Sequence, residues 1–406
     1  MKILCVFGRH AYGDPARGEG YEHANFLPAL VALGHQVELF DSWDRNAYRD
    51  FADLNLRLVD RVRAFQPDVV FCVLMHYEVW FETLDLIRDK SPAAVVNWGT
   101  DDSWKFRQFS RFLCGHVDLH VTTDAAALAQ AEKLRIGNMA ASQWAASASH
   151  VAEPLPSQAC SYDVTFVGAA YGNRRAQVKA MAARGINITC FGHGWDRGPI
   201  ASEDVYKIYR VSRVSLNFAD SGLQLSGASL SRSRQIKART FEVPGAGGFL
   251  ISEDNRNLAE YFRIGTELVT YRDSDDLARK IRYYLEHPAE RDVIARAGHA
   301  RVRRDHLYEQ RFKPILERTM EAAGERRNRR WELNSDLLLG FVGQHRRGVA
   351  LRHALDALRG GDGKSAYRRY FWRALRRVVY EISWRIFGDR TFGASGLPGR
   401  FFYRES

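Results

Sequence analysis

The sequence predicts an α/β protein with two doubly wound parallel-sheet domains and a basic helical tail. In both halves of the chain, short apolar runs typical of buried strands alternate with amphipathic helical stretches. This alternation stops once, between about residues 140 and 160, where small residues and prolines dominate and a linker is expected. The length of 406 residues is also too great for one ordinary domain.

The first half contains five strand-like runs separated by helices. The strands are KILCVFG, HQVELFD, PDVVFCVLM, AAVVNWG and VDLHVTTD. The helices are HANFLPALVALG, which ends at Gly34, then LNLRLVDRVRAF and WFETLDLIRD. Strands that alternate with helices are joined by crossover connections, which produce parallel sheets. We assign residues 1–148 to this first domain.

After the linker the same alternation resumes. The strands are YDVTFVG, INITCFG, RVSLNF, GFLIS and TELVTY. The main helices are NRRAQVKAMAARG, EDVYKIYRVS and DDLARKIRYYLEHP, the last capped by Asp275, followed by a charged helical stretch over 289–323. We assign residues 149–325 to the second domain. Ligands bind outside the carboxyl ends of parallel strands, so we expect a cleft between two such domains, bordered by the residues that follow each strand.

The composition excludes several classes of protein. A hydrophobic fraction of 46% and a charged fraction of 26% are ordinary for a globular protein and exclude gross disorder. The five cysteines are scattered and form no C-x-x-C pair, which favours reduced thiols in a cytoplasmic protein over a disulfide framework or zinc site. The N-terminal MKILCVFG runs directly into RHAYGD and predicts a first strand, not a signal peptide.

The positive charge is concentrated at the C-terminal end. Residues 326–406 hold 18 Lys and Arg against 7 Asp and Glu, whereas the preceding residues hold 41 of each sign. Within this tail, residues 364–388 predict a basic amphipathic helix, a pattern typical of attachment to an anionic membrane surface. The apolar face comprises Tyr367, Phe371, Leu375, Val378, Ile382 and Ile386, and the basic face Arg369, Arg373, Arg376 and Arg377. A helix packed on the body or a protein-binding arm fits as well, and no nucleic-acid-binding motif accompanies the charge.

One segment resembles a known family. Residues 235–311 contain K-x-R-T-F-E-x-P, G-G-F-L-I-S-E, Y-L-x-H-P and A-G-x-x-R-V, and DVTFVGAAYGNRR lies upstream. These motifs closely resemble the C-terminal half of the CgeB-like (spore-maturation type) glycosyltransferases. The resemblance implies the GT-B fold, with two Rossmann-like domains facing a cleft. It also implies a nucleotide-sugar co-substrate held mainly by the second domain, with no obligatory metal or cofactor.

The resemblance implies a donor site around IKARTFE. Lys237 and Arg239 would stabilise the charge that grows on the departing diphosphate, and Glu242 would bind the nucleotide ribose. The E-x7-E pattern of related enzymes would need a glutamate at 234, where this chain has Arg234. Donor-sugar recognition and retention or inversion therefore stay open. The alternative is a basic helix edge paired with Glu242.

Three further positions follow strands of the second domain and are candidate donor-binding residues. Gly168 and Arg174 lie at a strand end and the next helix start, where phosphate can bind. His193 stands between two glycines that allow close backbone approach, and Gly247 lies in GAGG. The alternatives are a solvated helix charge for Arg174, a turn residue for His193 and a tight helix-to-strand turn for Gly247.

On the acceptor side, the candidate catalytic residues are His10, Asp101 and Asp102. His10 lies in FGRHAYGDPARGEGY after the first strand, where the resemblance places a general base in some inverting enzymes. Asp101 or Asp102 could orient it, and His76 is a rival base. Each could equally be a polar loop residue or helix cap. Two adjacent carboxylates without further ligands are poor evidence for metal, so no metal site is predicted.

The expected function is transfer of a sugar from a nucleotide-sugar donor to a hydroxyl of a glycan, lipid-linked or other cell-envelope acceptor. Two alternatives stay open. One is a non-catalytic sugar-nucleotide-binding protein with a partner-binding tail, because Arg234 replaces the first glutamate of the E-x7-E pattern. The other is a GT-B-like nucleotide-sugar epimerase. Residues 326–406 would attach a cytoplasmic enzyme peripherally to the inner face of the membrane.

Overall fold

The computed structural model describes residues 1–75, 78–226, 229–255, 257–345 and 379–388. The chain divides into two compact units. The first comprises Met1–His23, Leu30–Ser142 and Lys313–Ser406, and the second Ala24–Ala29 and Gln143–Phe312. Each unit contains one parallel sheet, so the predicted fold class of two doubly wound α/β domains is confirmed. Among the described residues, no helix has both the length and the apolarity to cross a membrane.

The first unit has a six-stranded sheet in the order β2-β1-β3-β4-β5-β6. Its strands are β1 (Lys2–Phe7), β2 (Gln36–Asp41), β3 (Val69–Cys72), β4 (Ala94–Gly99), β5 (Leu119–Thr122) and β6 (Met139–Ala141). Its helices are α1 (Tyr21–Ala32), α2 (Phe51–Phe65), α3 (Phe81–Lys90), α4 (Asp102–Lys105), α5 (Arg111–Leu113) and α6 (Ala125–Lys133). The central strands are buried along their whole length, as expected for strands covered by helices on both faces.

The second unit repeats this topology with five strands in the order β13-β12-β9-β7-β8. The strands are β7 (Tyr162–Val167), β8 (Thr189–Phe191), β9 (Ser212–Asn217), β12 (Leu250–Glu253) and β13 (Val269–Tyr271). The helices are α7 (Arg174–Ala182), α8 (Ser202–Arg210), α9 (Arg239–Gly245), α10 (Ser274–Glu286) and α11 (Pro288–Asp305). Helices α12 (Tyr308–Ala323) and α13 (Leu339–His345) follow.

The shared topology locates the expected binding edge of each sheet. In both units the third strand of the unit lies beside the first, on the side opposite the second strand. This reversal of strand order opens a crevice at the carboxyl ends of the two strands, where doubly wound proteins bind ligands. The switch point, as we call it, lies between β1 and β3 in the first unit and between β7 and β9 in the second.

Several local features differ from the sequence-based expectation. Strand β6 extends into the segment that we expected to be a linker. The linker therefore begins only after Ala141. An antiparallel hairpin, β10 (Asp220–Ser226) with β11 (Ser229–Arg234), is inserted between β9 and α9 and was not predicted. The cap of α10 was predicted wrongly. Asp273 accepts hydrogen bonds from the backbone N–H groups of Asp275 and Asp276, so Asp275 lies inside the helix.

Part of the predicted tail helix packs on the first unit. Residues 379–387 are helical, and we call them the C-terminal helix; residues 364–378 lie outside the described residues. Tyr380 and Trp384 are buried in the core of the first unit, and the Tyr380 ring stacks on Phe51 of α2 at 5.9 Å. Arg385 donates to the backbone carbonyl of Tyr48 at 2.9 Å. The described tail residues are thus part of the folded body.

Candidate active site

An arginine joins the two strands that flank the switch point of the second unit. Arg239, at the start of α9, donates through Nε to the carbonyl of Val167 and through Nη1 to Oδ1 of Asn217, both at 2.7 Å. Val167 ends β7 and Asn217 ends β9. Asn217 also donates to Oγ of Ser252 on β12, at 3.0 Å. These bonds hold the guanidinium of Arg239 at the carboxyl edge of the sheet.

The residue after β7 must be glycine because this arginine lies so close. Gly168 has a φ of 152°, and a Cβ built on it would lie 2.5 Å from Nη2 of Arg239 and 3.2 Å from the Phe166 ring. A side chain there would be strained by the positive φ and would displace Arg239.

A second guanidinium lies beside the first. Arg174, the first residue of α7, is buried and donates to the carbonyl of Ala169 and to the hydroxyl of Tyr171, both at 2.8 Å. The Cζ atoms of Arg174 and Arg239 lie 5.3 and 4.8 Å from the centre of the same Phe166 ring. The start of a helix with two arginines favours an anion such as a diphosphate. The structure thus brings Gly168, Arg174 and Arg239 together, and their role in donor binding stays a prediction.

The loop after β8 packs on the loop after β7. The carbonyl of His193 accepts a hydrogen bond from the backbone N–H of Ala170 at 2.8 Å. The indole N–H of Trp195 donates to the carbonyl of Gly168 at 2.7 Å. A Cβ on Gly192 would lie 2.6 Å from that same carbonyl. His193 therefore supports the phosphate-side loop through its backbone, and glycine at 192 permits the contact.

Lys237 and Glu242 flank Arg239 along the chain. Lys237 donates to Oε1 of Gln235 at 2.9 Å. Glu242 is buried on α9, and the hydroxyl of Tyr206 lies 3.5 Å from its Oε1. Burial, and then the charge of Glu242, raises the pKa of the Tyr206 hydroxyl well above its usual value. Glu242 thus has a tyrosine partner, and its role towards a ribose stays a proposal.

Two other positions have structural explanations. A Cβ on Gly247, where φ is 80°, would lie 2.6 Å from the carbonyl of Ala152 and 2.8 Å from the nitrogen of Pro154. Glycine there allows the linker to pass, which supports the tight-turn alternative. Arg234 pairs with Glu253 at 3.1 Å, and Glu253 also accepts from the backbone N–H of Ala219 at 3.0 Å. The arginine that stands in place of the expected glutamate therefore forms an ion pair near the ends of β9 and β12.

In the first unit, the loop after β1 folds closely on Trp43. Added Cβ atoms on Gly8 and Gly13 would lie 2.4 and 1.9 Å from atoms of Trp43. His10 forms an isolated bridge with Glu19, and its Nδ1 is buried with no hydrogen-bond partner among the described residues. A buried ring nitrogen without a partner is unusual in a folded protein and is consistent with a group that meets a ligand. His76 lies outside the described residues.

Asp102 belongs to a buried hydrogen-bonded group. Its carboxylate lies 2.8 Å from Nε2 of His120 and accepts from the hydroxyl of Ser110 at 2.5 Å. The other ring nitrogen of His120 lies 3.2 Å from the side-chain nitrogen of Asn97. Burial alone would raise the pKa of Asp102, but the charge and hydrogen bond of His120, with bonds from Ser110 and Thr122, lower it overall. Asp102 is thus ionised and occupied by these partners.

Asp101 lies near two buried groups that sequence reasoning missed. Burial, reinforced by the charge of Asp101, raises the pKa of Glu22 from about 4.5 to about 7, while Lys105 opposes the shift. Burial lowers the pKa of Lys105, against the charges of Asp101, Glu78, Asp102 and Glu22. Glu22 begins α1 after the loop of His10, and Glu78 follows β3. These groups therefore come from segments that follow β1, β3 and β4 of the first unit. Among the described residues no three His, Cys, Asp or Glu are placed to hold a metal.

Comparison with known proteins finds a family that part of the chain resembles. A family model described as "Glycosyl transferase-like" matches residues 174–317. This stretch includes Arg174, Lys237, Arg239 and Glu242. No curated protein matches the chain at a significant level.

Solved structures share the fold at low sequence identity. Sucrose-phosphate synthase from Thermosynechococcus elongatus is 13% identical, with a TM-score of 0.57 over 80% of this chain and all of that one. A glycosyltransferase from Rickettsia africae is 13% identical, with a TM-score of 0.53 over 80% of this chain and 98% of that one. HepE of Anabaena, in complex with UDP, is 12% identical, with a TM-score of 0.50 over 78% of this chain and all of that one. At these sequence identities the structural similarity shows the fold alone.

Proposed function

We propose that the chain, which has the GT-B fold and matches a glycosyl transferase-like family over residues 174–317, transfers a sugar from a nucleoside diphosphate sugar to a hydroxyl group. The acceptor that we propose is a glycan, lipid-linked or other cell-envelope molecule. The motifs in residues 235–311 favour a CgeB-like member of this class. The reaction replaces the bond from the anomeric carbon to the diphosphate with a bond to the acceptor oxygen, and the nucleoside diphosphate leaves.

The observation that carries the proposal is the pair of arginines at the switch point of the second unit. Arg239 and Arg174 stand over one aromatic ring, beside a glycine that admits no side chain. A diphosphate gains charge as it leaves, and two fixed guanidiniums stabilise that charge without a metal. The binding of UDP by HepE, which has this fold, supports a nucleoside diphosphate as the ligand.

The direct test offers the protein a panel of labelled nucleotide sugars with and without extracts of cell-envelope glycans and lipids. We expect release of one nucleoside diphosphate and label in an extracted acceptor. A changed sugar with no release would instead indicate an epimerase. Binding without any turnover would indicate a non-catalytic sugar-nucleotide-binding protein, and no binding of any nucleotide would contradict all three.

On the acceptor side we propose His10 as the general base, oriented by Asp101. The unpartnered buried Nδ1 of His10 supports this assignment. Asp102 is less suited to orient His10, since its carboxylate already binds His120 and Ser110. Glu22 is a second candidate because its pKa of about 7 suits a group that takes a proton at neutral pH.

The His10→Ala variant is therefore expected to lower kcat by about 10²–10⁴-fold with unchanged donor affinity. Steady-state rates and calorimetric titration with the nucleoside diphosphate measure the two quantities. His35→Ala, in the turn before β2, is the matched control and should keep full activity. If His10→Ala keeps turnover while Glu22→Gln or Asp101→Ala loses it, the base is one of those residues.

We also propose that the protein is cytoplasmic and attaches to an anionic membrane through its C-terminal part. Ile382, Ile386 and Phe387 are exposed on the C-terminal helix, while Tyr380 and Trp384 are buried. The sequence places many arginines just before this helix. Exposed apolar side chains next to basic ones are typical of interfacial attachment, where each basic residue contributes about 1 kcal/mol.

The Ile386→Ser/Phe387→Ser variant is expected to lose most of its co-sedimentation with vesicles containing acidic lipid, and to keep its unfolding midpoint. The Trp384→Ala variant should instead lower the free energy of unfolding by about 3–5 kcal/mol, because it removes a buried ring. High salt and neutral lipid should each reduce binding of the unchanged protein. Equal sedimentation of the first variant and the unchanged protein would contradict the membrane assignment.

A further inference from the structure

The second unit contains a cavity on a side of α9 that the proposed donor site does not use. Its volume is about 500 Å³. Helix α11 and the linker provide the walls. The polar lining residues are Glu153, Arg296, His299, Arg303 and Arg304.

His299 has an unfilled hydrogen-bonding position in this cavity. The residue is 5% exposed, and its Nδ1 lies 3.2 Å from the carbonyl of Gly245, to which it donates. Its Nε2 is buried and has no hydrogen-bond partner among the described residues. The closest charged group to it is Oε1 of Glu153 at 3.6 Å, beyond hydrogen-bond distance. A buried polar atom in this situation requires a partner.

The charge of the lining is positive. Three arginines face one glutamate, and Arg304 is already held by Asp305 at 2.8 Å. Glu153 lies 3.3 Å from Nη1 of Arg303, and its side chain is 72% exposed. An exposed pair of this kind contributes little energy, so Glu153 can turn away. Arg296, Arg303 and His299 would then face the cavity without a competing carboxylate.

We propose that this cavity binds a small phosphomonoester. The phosphate oxygens accept from the guanidiniums of Arg296 and Arg303, the phosphate group pairs with Nε2 of His299, and Glu153 moves into solvent. Guanidiniums are well suited to the geometry and charge of a phosphate. This site is distinct from the arginine pair at the switch point and exists independently of the proposed function.

The same histidine connects the cavity to the helix of Arg239. The carbonyl of Gly245, the last residue of α9, accepts from Nδ1 of His299 and from the backbone N–H of Ala152 at 3.1 Å. A Cβ on Gly245 would lie 2.7 Å from Ala146, so this end of α9 has little room to move. A side-chain donor to the last carbonyl of a helix stabilises that end of the helix. Occupancy should therefore stabilise α9 and tighten donor binding, a consequence that rests on the proposed function.

The probe is inorganic phosphate, titrated calorimetrically into the full chain. The ionic strength is held constant with chloride, and saturating UDP is present to fill the switch-point site. We expect one phosphate to bind. Arg296→Ala/Arg303→Ala should weaken it at least tenfold, and Arg263→Ala, an exposed arginine of the same unit, should not. His299→Asn keeps a side-chain donor for Gly245 and removes Nε2, and should also weaken phosphate while preserving the unfolding midpoint.

Phosphate binding that is seen only without UDP, and that either saturating UDP or Arg239→Ala removes, would show that phosphate occupies the switch point instead, and would overturn the inference. So would absence of binding, or equal affinity in the Arg296→Ala/Arg303→Ala and Arg263→Ala variants. None of these measurements requires turnover. If no nucleotide sugar is a substrate, phosphate binding that needs Arg296, Arg303 and His299 would still stand.

Discussion

Replacing Arg239 with alanine is expected to lower turnover by about 10²–10³-fold and to remove most of the thermal stabilisation by a nucleoside diphosphate. The guanidinium is held at the ends of β7 and β9 by Val167 and Asn217, where the leaving diphosphate would gain charge. Rates and thermal midpoints with and without UDP measure the effect. At a hundredfold excess over Kd, UDP should add about 2.7 kcal/mol to the unchanged protein.

Because Arg239 also supports the sheet edge, some loss of intrinsic stability is expected. Leaving Val167 and Asn217 without their donor should lower the free energy of unfolding by about 1–3 kcal/mol. The increment due to nucleotide separates this effect from binding. Lys237→Ala should give a smaller loss, and Arg263→Ala should give none. If Arg239→Ala retains the full UDP-induced increment, the donor site lies elsewhere.

Replacing Glu22 with glutamine is expected to stabilise the protein at pH 8 by about 3 kcal/mol and to have little effect at pH 4. Burial and Asp101 raise the folded-state pKa of Glu22 from about 4.5 to about 7, with Lys105 opposing them. Between these values the folded protein keeps the proton and the unfolded chain loses it. Stability of the unchanged protein therefore falls as pH rises through this window, by about 1.4 kcal/mol per pH unit.

Denaturant unfolding of both proteins at pH 4, 6 and 8 measures this difference. Glutamine does not titrate, so its advantage should grow between pH 4.5 and 7 and then level off. Glu19→Gln, which replaces a more exposed glutamate in the same loop, serves as the control. A pH-independent difference would contradict the raised pKa. A stabilised Glu22→Gln variant that also loses turnover would indicate a residue kept for function at the expense of stability.

The sheets could be predicted because buried parallel strands have continuous apolar sequences, and these lie between helical segments. Such runs depend only on neighbours along the chain. The hairpin β10–β11 was missed because DSGLQLSGASLSRSRQ has no apolar run, and the alternation of Leu223, Leu225 and Leu230 with polar residues around SGAS was overlooked. The same absence of apolar pattern concealed β6 in a stretch rich in alanine.

The candidate site was predicted where backbone motifs carry it, as at Gly168 and Arg239. The partners of those residues were not, because they come from other strands. Asn97, His120 and Asn217 are buried polar residues on β4, β5 and β9, and each makes a side-chain hydrogen bond. A polar residue in a buried strand was thus the signal to follow. Glu22 offered no such signal, since its pKa depends on burial by distant residues.

The tail shows a different limit of sequence reasoning. Helical periodicity predicted an apolar face that includes Ile382 and Ile386 but not Tyr380. In the fold, Tyr380 and Trp384 supply the buried side and Ile386 is exposed. Periodicity identifies which residues share a face, but two apolar faces on one helix do not indicate which of them meets the body.

The return of the chain to its first unit has a consequence for biosynthesis. Phe51 of α2 emerges early from the ribosome, but Trp384, which belongs to the same core, is made more than 300 residues later. At about 5–20 residues per second this delay is roughly 15–60 s. The second sheet is complete in the nascent chain well before then. Apolar surface on the helices of the first unit must therefore stay partly exposed until the C-terminal helix is made. We expect chaperones to bind this region during translation.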